Sequence, residues 1–471
     1  MFLLGVVLWA ASRLTGAPLH AMDKPNIVFI YTDDQAPWAL GRVGNPQIHT
    51  PHLDRLFDQG VTFTNSFVTT PVCSPSRAAL MASRYGLELG IQDWINPQKE
   101  PEIGMDPDAI TWPEVLQEAG YETCLVGKWH LGTAPRFHPN KTGFDFFRGF
   151  LAGGIKTENP VLNINGATHE FHGLTEDILT DLAIEFLKKD HARKPFLLCL
   201  HYRSPHAPWL PVAEDDAAPY RGMDPIIPNP DYPDLDVERV KQKMLEYMAS
   251  VSGVDRNVGR LLAGLDETGA TPNTLVVFTS DHGYNMGHNG IWHKGNGHWI
   301  TNWAEEHHPQ DPLIQRPNLY DNSLRVPTCL RWPGVAAPGS VVERTVTNLD
   351  WYPTLLAAAG LELPPNEVVR GRNLLPLVKG ESPEWEDDLF CQYSQKHYIE
   401  THLRCYRTPE WKLVRDFLRE GKDELYNLRE DPAENRNLIE DPNLEEIRKD
   451  LNQKLLARME AVGDKVFLGK E

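Results

Sequence analysis

Residues 26–31 (NIVFIY) form an apolar run that leads directly into Asp33-Asp34. Three further runs also end in polar residues: 121–126 (YETCLV) before Lys128, 195–200 (PFLLCL) before His201, and 274–279 (TLVVFT) before Asp281. Short apolar runs of this kind are typical of buried strands in a parallel sheet. Ligands bind beyond the carboxyl ends of such strands, so we expect the four polar ends to form one shared site.

Amphipathic stretches between these runs predict the helices of an α/β fold. Residues 112–119, 176–189 and 240–265 have apolar residues at helical spacing. Residues 213–236 are rich in Pro and Asp and predict a surface loop. We therefore predict a large, doubly wound, mostly parallel sheet with helices on both faces.

A second, smaller unit is predicted near the C-terminus. Runs 389–393 and 411–414 predict short strands, and residues 443–462 predict a closing amphipathic helix. The expected organisation is a main domain over residues 22–383, followed by an α+β subdomain with an antiparallel sheet over residues 384–471.

The N-terminal residues indicate where the protein is located. The apolar run 2–11 is followed by small residues, which predicts a signal peptide over residues 1–21 and an exported protein. This run is too short for a membrane span, and no later run is long enough.

The 471 residues include 46 basic and 65 acidic side chains, a net charge of -19. We therefore expect no nucleic-acid partner, and we expect a local pocket to hold any anionic ligand.

The six cysteines match no zinc-site spacing, and export would permit disulfides that the sequence does not assign. One of them lies in the most informative stretch, residues 71–84 (PVCSPSRAALMASR). Ser74-Pro75 predicts an N-cap followed by proline at the first helical position, so Cys73 would lie just before a helix. Free N–H groups and the helix dipole favour an anion there. Alone, this indicates either a reactive thiol or a buried cysteine beside a capped helix.

The same stretch resembles the first signature of the sulfatase family, the formylglycine-dependent type I sulfatases of the alkaline-phosphatase-like superfamily. Cys73-Ser74-Pro75-Ser76-Arg77 matches its Cys-x-Pro-x-Arg core, and residues 120–130 (GYETCLVGKWH) resemble the second signature. The resemblance extends from Pro25 to about Leu438. Ala82-Ser83 stands where the family usually has Thr-Gly, outside the core. The resemblance implies that a formylglycine-generating enzyme oxidises Cys73 to formylglycine, the catalytic nucleophile.

A metal site is also implied by the resemblance. The matching ligands are Asp33, Asp34, Asp281, His282 and the residue at position 73. Three carboxylates suit a hard cation, so the implied ion is Ca²⁺, with Mg²⁺ as the alternative. An imidazole is a softer ligand than Ca²⁺ prefers, which leaves open that His282 contacts the nucleophile instead.

The remaining catalytic residues implied by the resemblance surround the sulfate group: Arg77, Lys128, His130, His206 and Lys294. The flanking prolines of Ser204-Pro205-His206-Ala207-Pro208 favour His206 over His201. Lys294 ends a run (DHGYNMGHNGIWHK) that resembles one found in many carbohydrate sulfatases. Arg316, four residues before Tyr320-Asp321, is the alternative. Residues 320–327 (YDNSLRVP) and 424–428 (ELYNL) match family stretches that we interpret as structural.

The implied activity is hydrolysis of sulfate esters on sulfated small molecules or oligosaccharides. Arg77 would stabilise the hydrated aldehyde, and Lys128, Lys294 and His206 would neutralise the sulfate and the departing oxygen. His206 or Lys294 would protonate the leaving group, and His130 would take a proton from the second hydroxyl.

Three alternatives compete with this function. The first is a phosphodiesterase or phosphonate monoester hydrolase of the same superfamily, since phosphate is also a tetrahedral anion. A sulfated-glycan binder without activity is disfavoured because no site residue is missing. A metal-free thiol enzyme is disfavoured because no further cysteine or base is implied near Cys73.

The segment between Lys294 and Tyr320 predicts a specificity loop. It contains Trp299 and Trp303, whose faces could stack on a sugar ring, together with several His and Glu residues that could bond its hydroxyls. The alternative is a surface loop whose tryptophans pack on the protein's own core.

Overall fold

A computed structural model describes residues 24–191, 193–306 and 315–466. The predicted signal peptide therefore lies outside the described residues, as do residues 307–314 of the predicted specificity loop. Every helix within the described ranges is too short or too polar to cross a bilayer.

The main sheet contains ten strands, in the spatial order β11-β2-β10-β9-β1-β8-β4-β5-β6-β7. Its strands are β1 (Asn26–Thr32), β2 (Val61–Phe63), β4 (Glu122–Lys128), β5 (Phe146–Phe150), β6 (Val161–Ile164), β7 (Ala167–Glu170), β8 (Phe196–His201), β9 (Thr274–Ser280), β10 (Cys329–Arg331) and β11 (Ser340–Val342). The five central strands, from β9 to β5, are all parallel, and antiparallel pairs occur towards both edges. The predicted mostly parallel sheet is confirmed, with β1 at its centre.

Alternate residues of β1 pack against helices on opposite faces of the sheet. Ile27 and Phe29 belong to one apolar cluster with residues of α2 (Cys73–Ala82), α3 (Trp112–Glu118), α9 (Trp351–Ala358) and α10 (Leu375–Val378). Val28 and Ile30 belong to a second cluster with residues of α1 (Pro51–Asp58), α4 (Thr175–Leu187) and α6 (Val237–Glu267). Both faces of a parallel sheet must be covered, which explains why its strands are apolar throughout.

The predicted helices agree with α3, α4 and α6 to within a few residues. Helix α6 begins earlier than expected because the Asp236 side chain caps it by accepting a hydrogen bond from the Arg239 N–H. Residues 213–236 are not wholly a surface loop, since they contain α5 (Glu214–Ala217) and buried Asp216 and Tyr220. Asp216 is held by Arg256 of α6, a partner that local composition does not indicate.

The C-terminal unit is a four-stranded antiparallel sheet covered by one helix, as predicted. Its strands are β13 (Leu389–Tyr393), β14 (Leu403–Arg407), β15 (Trp411–Asp416) and β16 (Glu424–Asn427), and its helix is α11 (Glu445–Ala461). Leu451, Leu455 and Met459 of α11 pack on the sheet. The short elements that complete the described chain are β3 (Ser66–Phe67), β12 (Val346–Thr347), α7 (Asn302–Glu305) and α8 (Asp321–Leu324). The boundary at residues 383 and 384, between α10 and β13, stays a prediction.

A buried charged network joins this unit to the main domain. The Asp321 carboxylate accepts hydrogen bonds from Arg407 (2.9 Å) and Lys412 (2.9 Å) of the C-terminal sheet. Glu434 accepts hydrogen bonds from Lys412 Nζ and from the Asp321 N–H, both at 2.6 Å. Of the two stretches interpreted as structural, 320–327 contributes Asp321 to this network, and 424–428 contacts the first stretch through the rings of Tyr426 and Tyr320, whose centroids are 6.1 Å apart.

Candidate active site

The carboxyl ends of the central strands bring the predicted polar residues together. Asp33 and Asp34 follow β1, Asp281 and His282 follow β9, and Lys128 is the last residue of β4. Gly127 makes this end of β4 possible, because its φ is 108° and a Cβ there would lie 1.9 Å from the His201 carbonyl oxygen. Asp34 itself has a φ of 70°, and such left-handed residues concentrate at functional sites.

Helix α2 positions Cys73 and Arg77 against these strand ends. Cys73 is the first residue of the helix, and Val72 occupies the N-cap position, so the prediction of Ser74 as N-cap is wrong. The Ser74 hydroxyl instead accepts a hydrogen bond from the Ile95 N–H, a tertiary contact that replaces capping. All ten residues of α2 are buried.

The Cys73 side chain lies among the predicted metal ligands and basic residues. Its Sγ is 3.2 Å from Lys294 Nζ, 3.5 Å from His282 Nε2 and 3.6 Å from Asp33 Oδ1. Burial raises the pKa of the thiol, but Lys128 and Lys294 outweigh it and hold this pKa well below its usual value. Position 73 is therefore suited to carry negative charge.

Each acidic residue of the site is paired with a basic one. Lys128 Nζ donates to Asp33, and Lys294 Nζ donates to Asp34 at 2.7 Å. Arg77 Nε donates to Asp281 at 3.0 Å, and its Nη2 forms an ion pair with the same carboxylate at 2.9 Å. All six side chains are almost completely buried. Buried charges are stable only when paired, so this interlocking set fixes the positions of the side chains around Cys73.

The same carboxylates could hold a cation. Asp33, Cys73, Asp281 and His282 bring ligand atoms within 4.8 Å of one another, and so do Asp33, Asp34, Cys73 and His206. Asp34 Oδ2 is buried and has no hydrogen-bond partner among the described residues. A buried carboxylate oxygen without a partner is costly, and a divalent cation would satisfy it. The donor set therefore fits a hard cation.

Two histidines of the site present their imidazoles in defined tautomers. His130 Nε2 lies 3.0 Å from the Ile95 carbonyl oxygen and must donate to it, which leaves Nδ1 as the acceptor. His206 Nδ1 lies 2.7 Å from the Ala207 carbonyl oxygen, which leaves Nε2 as its acceptor. Burial lowers the pKa of both imidazoles, so both can accept a proton at neutral pH.

The alternatives to His206 and Lys294 lie elsewhere. His201 forms a hydrogen bond through Nδ1 with the Lys128 carbonyl oxygen at 3.2 Å and packs on Tyr31, so it holds the end of β4 in place. Arg316 pairs with Glu424 at 3.2 Å and lies over the rings of Trp299 and Tyr320. Neither residue is among those that line the cleft at Cys73.

A cleft of about 520 Å³ opens at Cys73. The described residues that line it include Lys294 and four histidines, His130, His206, His293 and His298, and no aspartate or glutamate. In a chain of net charge -19, a cleft wall without acidic residues is a local environment that favours an anion.

The structure places the predicted sugar-binding tryptophans outside this cleft. Trp299 packs with Ile291, Tyr320 and Tyr426, and Trp303 is 43% exposed on α7; neither lines the cleft. The aromatic residues that do line it are Trp94, Trp292 and Tyr398. Sequence reasoning missed Trp94 and Tyr398, because they become neighbours only when two distant segments meet.

Comparisons with known proteins agree with this geometry. The family model described as Sulfatase matches residues 25–361, and that described as N-sulphoglucosamine sulphohydrolase, C-terminal, matches residues 313–461. The chain is similar to the N-acetylglucosamine-6-O-sulfatase of Bacteroides thetaiotaomicron, with 26% identity over 92% of this chain and 86% of that one. It is 31% identical to the N-acetylgalactosamine-6-sulfatase of Mus musculus, over 78% of this chain and 68% of that one.

The fold matches a solved structure over nearly all of both chains. This structure, a complex with its substrate D-glucosamine-2-N,6-O-disulfate, superposes with a TM-score of 0.82 at 24% identity, covering 95% of this chain and 100% of that one. Since the Sulfatase model covers residues 25–361, which include Cys73 and every charged residue around it, the chain belongs to the sulfatase family and is a sulfuric ester hydrolase.

Proposed function

We propose that this enzyme removes sulfate from sulfated carbohydrates, with the residue at position 73, oxidised to formylglycine, as nucleophile and a divalent cation, Ca²⁺ or Mg²⁺, beside it. The observation that carries the proposal is the position of Cys73. It is buried, 3.2 Å from Lys294 Nζ, and at the opening of a cleft whose described lining residues include no Asp or Glu. The names of two relatives, both sulfatases of N-acetylhexosamines, support sulfated amino sugars as the first substrates to test.

Asp33, Asp34, Asp281 and His282 would hold the cation. Bound there, it would supply Lewis-acid polarisation of the sulfate and charge stabilisation next to position 73. His282 Nδ1 lies 3.0 Å from the Gly283 carbonyl oxygen and must donate to it, so its Nε2 is the nitrogen that faces Cys73 and Asp34.

The basic residues neutralise the sulfate group. Lys128 and Lys294 each carry a fixed positive charge beside position 73, and their present carboxylate partners compete with the substrate for the same N–H donors. Arg77 acts from the other side by holding Asp281 through a hydrogen bond from Nε and an ion pair from Nη2. Such preorganised donors are the largest contribution to catalysis where negative charge develops in a dry site.

Proton transfer falls to His130, His206 and Lys294. His130 Nδ1 is the acceptor nitrogen and has no hydrogen-bond partner among the described residues, so it is placed to take a proton from the residue at position 73. Lys294 Nζ is placed to protonate the departing oxygen of the ester, and His206 Nε2 can do so once it has itself taken up a proton.

Maturation is tested by mass spectrometry of the peptide that contains Cys73, from cells with and without a formylglycine-generating enzyme. We expect an aldehyde in the first sample only, and activity in proportion to it. Cys73→Ala, prepared in parallel, should fold and be inactive. Full activity from protein that contains only the thiol would overturn the nucleophile assignment.

The reaction class is tested with paired 4-nitrophenyl sulfate and 4-nitrophenyl phosphate. We expect a much larger kcat/KM for the sulfate, and the reverse ratio would favour the phosphohydrolase alternative. A panel of sulfated mono- and disaccharides, beginning with N-acetylhexosamine 6-sulfates, then tests the substrate class. Turnover of aryl sulfate without turnover of any saccharide would overturn the carbohydrate assignment alone.

A further inference from the structure

Three aromatic rings, Trp94, His397 and Tyr398, pack together beside the cleft, and we call them the aromatic wall. The Trp94 ring lies 4.3 Å from the His397 ring and 6.3 Å from the Tyr398 ring, at an interplanar angle of 32° to the latter. Trp94 and Tyr398 line the same cleft as Cys73 and Lys294. The wall is thus continuous with the site that holds the sulfate.

The wall joins two segments that are far apart in the sequence, and Asp93 holds them together. Its buried carboxylate accepts hydrogen bonds from the N–H groups of Lys396 (2.8 Å) and His397 (3.2 Å), and from the Tyr393 hydroxyl (3.0 Å). In return, His397 Nε2 bonds the Trp94 carbonyl oxygen at 3.0 Å. The C-terminal unit therefore contributes directly to the cleft.

Tyr398 is held in an unfavourable conformation with its ring in solvent. Its φ is 66°, a region that non-glycine residues rarely adopt, and its side chain is 47% exposed. An exposed aromatic ring kept in a strained backbone position at a cleft indicates a role in binding.

We propose that the aromatic wall binds the ring of the sugar that carries the sulfate ester and so determines which sugars are substrates, an inference that rests on the proposed function. The C–H face of a sugar ring is apolar and packs on aromatic faces, while its hydroxyls need polar partners. Gln98 and Asn296 line the same cleft and supply such partners. His298, 6.0 Å from the Tyr398 ring, borders the wall.

The test uses two variants of the wall. Trp94→Ala removes the largest ring, and Tyr398→Gly removes the exposed ring while relieving the backbone strain, so the second variant should be at least as stable as the wild type. We expect each to lower kcat/KM for the preferred sulfated saccharide by about 10- to 100-fold, mainly through KM. The inhibition constant of inorganic sulfate, which occupies the sulfate pocket alone, should change less than about twofold.

Trp303→Ala is the matched control, because it removes a tryptophan that is 43% exposed outside the cleft. Its kcat/KM for the saccharide should equal that of the wild type. Unchanged saccharide kinetics in Tyr398→Gly would overturn the proposal, and so would equal losses for saccharide turnover and sulfate inhibition. If the wild type hydrolyses saccharide sulfates and both wall variants do so with full activity, this inference is wrong and the proposed function still stands.

Discussion

Lys294 is the basic residue closest to Cys73, and its side chain is almost fully buried. It bonds Asp34 at 2.7 Å as well, so one ammonium group joins position 73 to a predicted metal ligand. Arg316, the alternative that the sequence left open, is 31% exposed and pairs with Glu424. Lys294 contacts Cys73 whereas Arg316 contacts Glu424, so replacing each residue should affect kcat/KM differently.

We expect Lys294→Ala to lower kcat/KM by about 10²- to 10³-fold, the usual cost of removing one preorganised charge donor. Arg316→Ala is the matched variant and should change kcat/KM by less than about threefold, because its charge is used outside the cleft. Kinetics on an aryl sulfate measures both. A larger loss in the arginine variant would reverse the assignment.

The carboxylates around Cys73 predict that divalent cations stabilise the fold. Ca²⁺ at 100 times its Kd should raise the free energy of unfolding of the wild type by about 2.7 kcal/mol. Asp34→Asn removes the charge at the oxygen that lacks a partner and should abolish most of this gain. Asp108→Asn, an exposed position, is the control and should keep it. Calcium-dependent thermal unfolding of the three proteins decides the outcome, and equal shifts in all of them would exclude this site.

Part of the charged site could be predicted from the sequence because its residues follow strands, whereas Arg77 inside helix α2 and Lys294 in a loop are implied only by the resemblance of their motifs. Asp33, Lys128 and Asp281 lie at strand ends, where the sheet itself brings them together. Trp94 and Tyr398 could not be predicted in this way. Their proximity depends on the side chain of Asp93 bonding a loop some 300 residues away.

At the scale of single elements, helix α2 ends in an unusual way. Ser83 is the C-cap residue, with φ 51° and ψ 37°, a left-handed conformation for which glycine is preferred. Its hydroxyl donates to the Leu349 carbonyl oxygen at 2.8 Å and accepts from the Gly371 N–H at 2.9 Å. The serine therefore adopts a strained backbone conformation, and its side chain forms two buried hydrogen bonds that connect the helix to neighbouring segments.

This arrangement predicts an order of stability. Ser83→Ala loses both hydrogen bonds and keeps the strain, at a cost of about 2 to 4 kcal/mol. Ser83→Gly loses the same bonds but relieves the strain, so it should be about 1 kcal/mol more stable than the alanine variant. Denaturant unfolding of both proteins gives the comparison. An alanine variant as stable as the glycine variant would show that the conformation stores no strain.

The sequence patterns predict which helices and strands form better than they predict the first and last residue of each. The strands of the main sheet appear as apolar runs because both of their faces are covered. The prediction that α2 begins after Ser74 is wrong. A serine hydroxyl can cap a helix, but the Ser74 hydroxyl accepts a hydrogen bond from the Ile95 N–H instead. Helix ends are decided by such competing partners, which local sequence does not reveal.

Across the whole molecule, one charged network couples the two sheets. Lys412 is fully buried and donates to both Asp321 and Glu434. Asp321 precedes the strands at the edge of the main sheet, while Lys412 lies on β15. Because the same C-terminal unit carries His397 and Tyr398, the shape of the cleft depends on this attachment.

Lys412→Met would leave two carboxylates buried against each other. We expect a loss of about 3 to 5 kcal/mol in the free energy of unfolding, the usual cost of breaking a buried ion pair from one side. Lys454→Met, which breaks only the surface pair with Asp450, is the control and should change stability little. Thermal and denaturant unfolding measure both variants, and similar stabilities would mean that the network contributes no attachment.

The burial of Cys73 has a consequence for the timing of biosynthesis. The cysteine is 3% exposed in the folded chain, and the helix that begins with it is buried along its whole length. The enzyme that we propose to oxidise Cys73 would have to reach this segment while it is still extended, before the residues after strand β9, which are synthesised later, place His282 against Cys73. Folding and the proposed modification would therefore compete for each new chain. A molecule that folded first would keep its thiol.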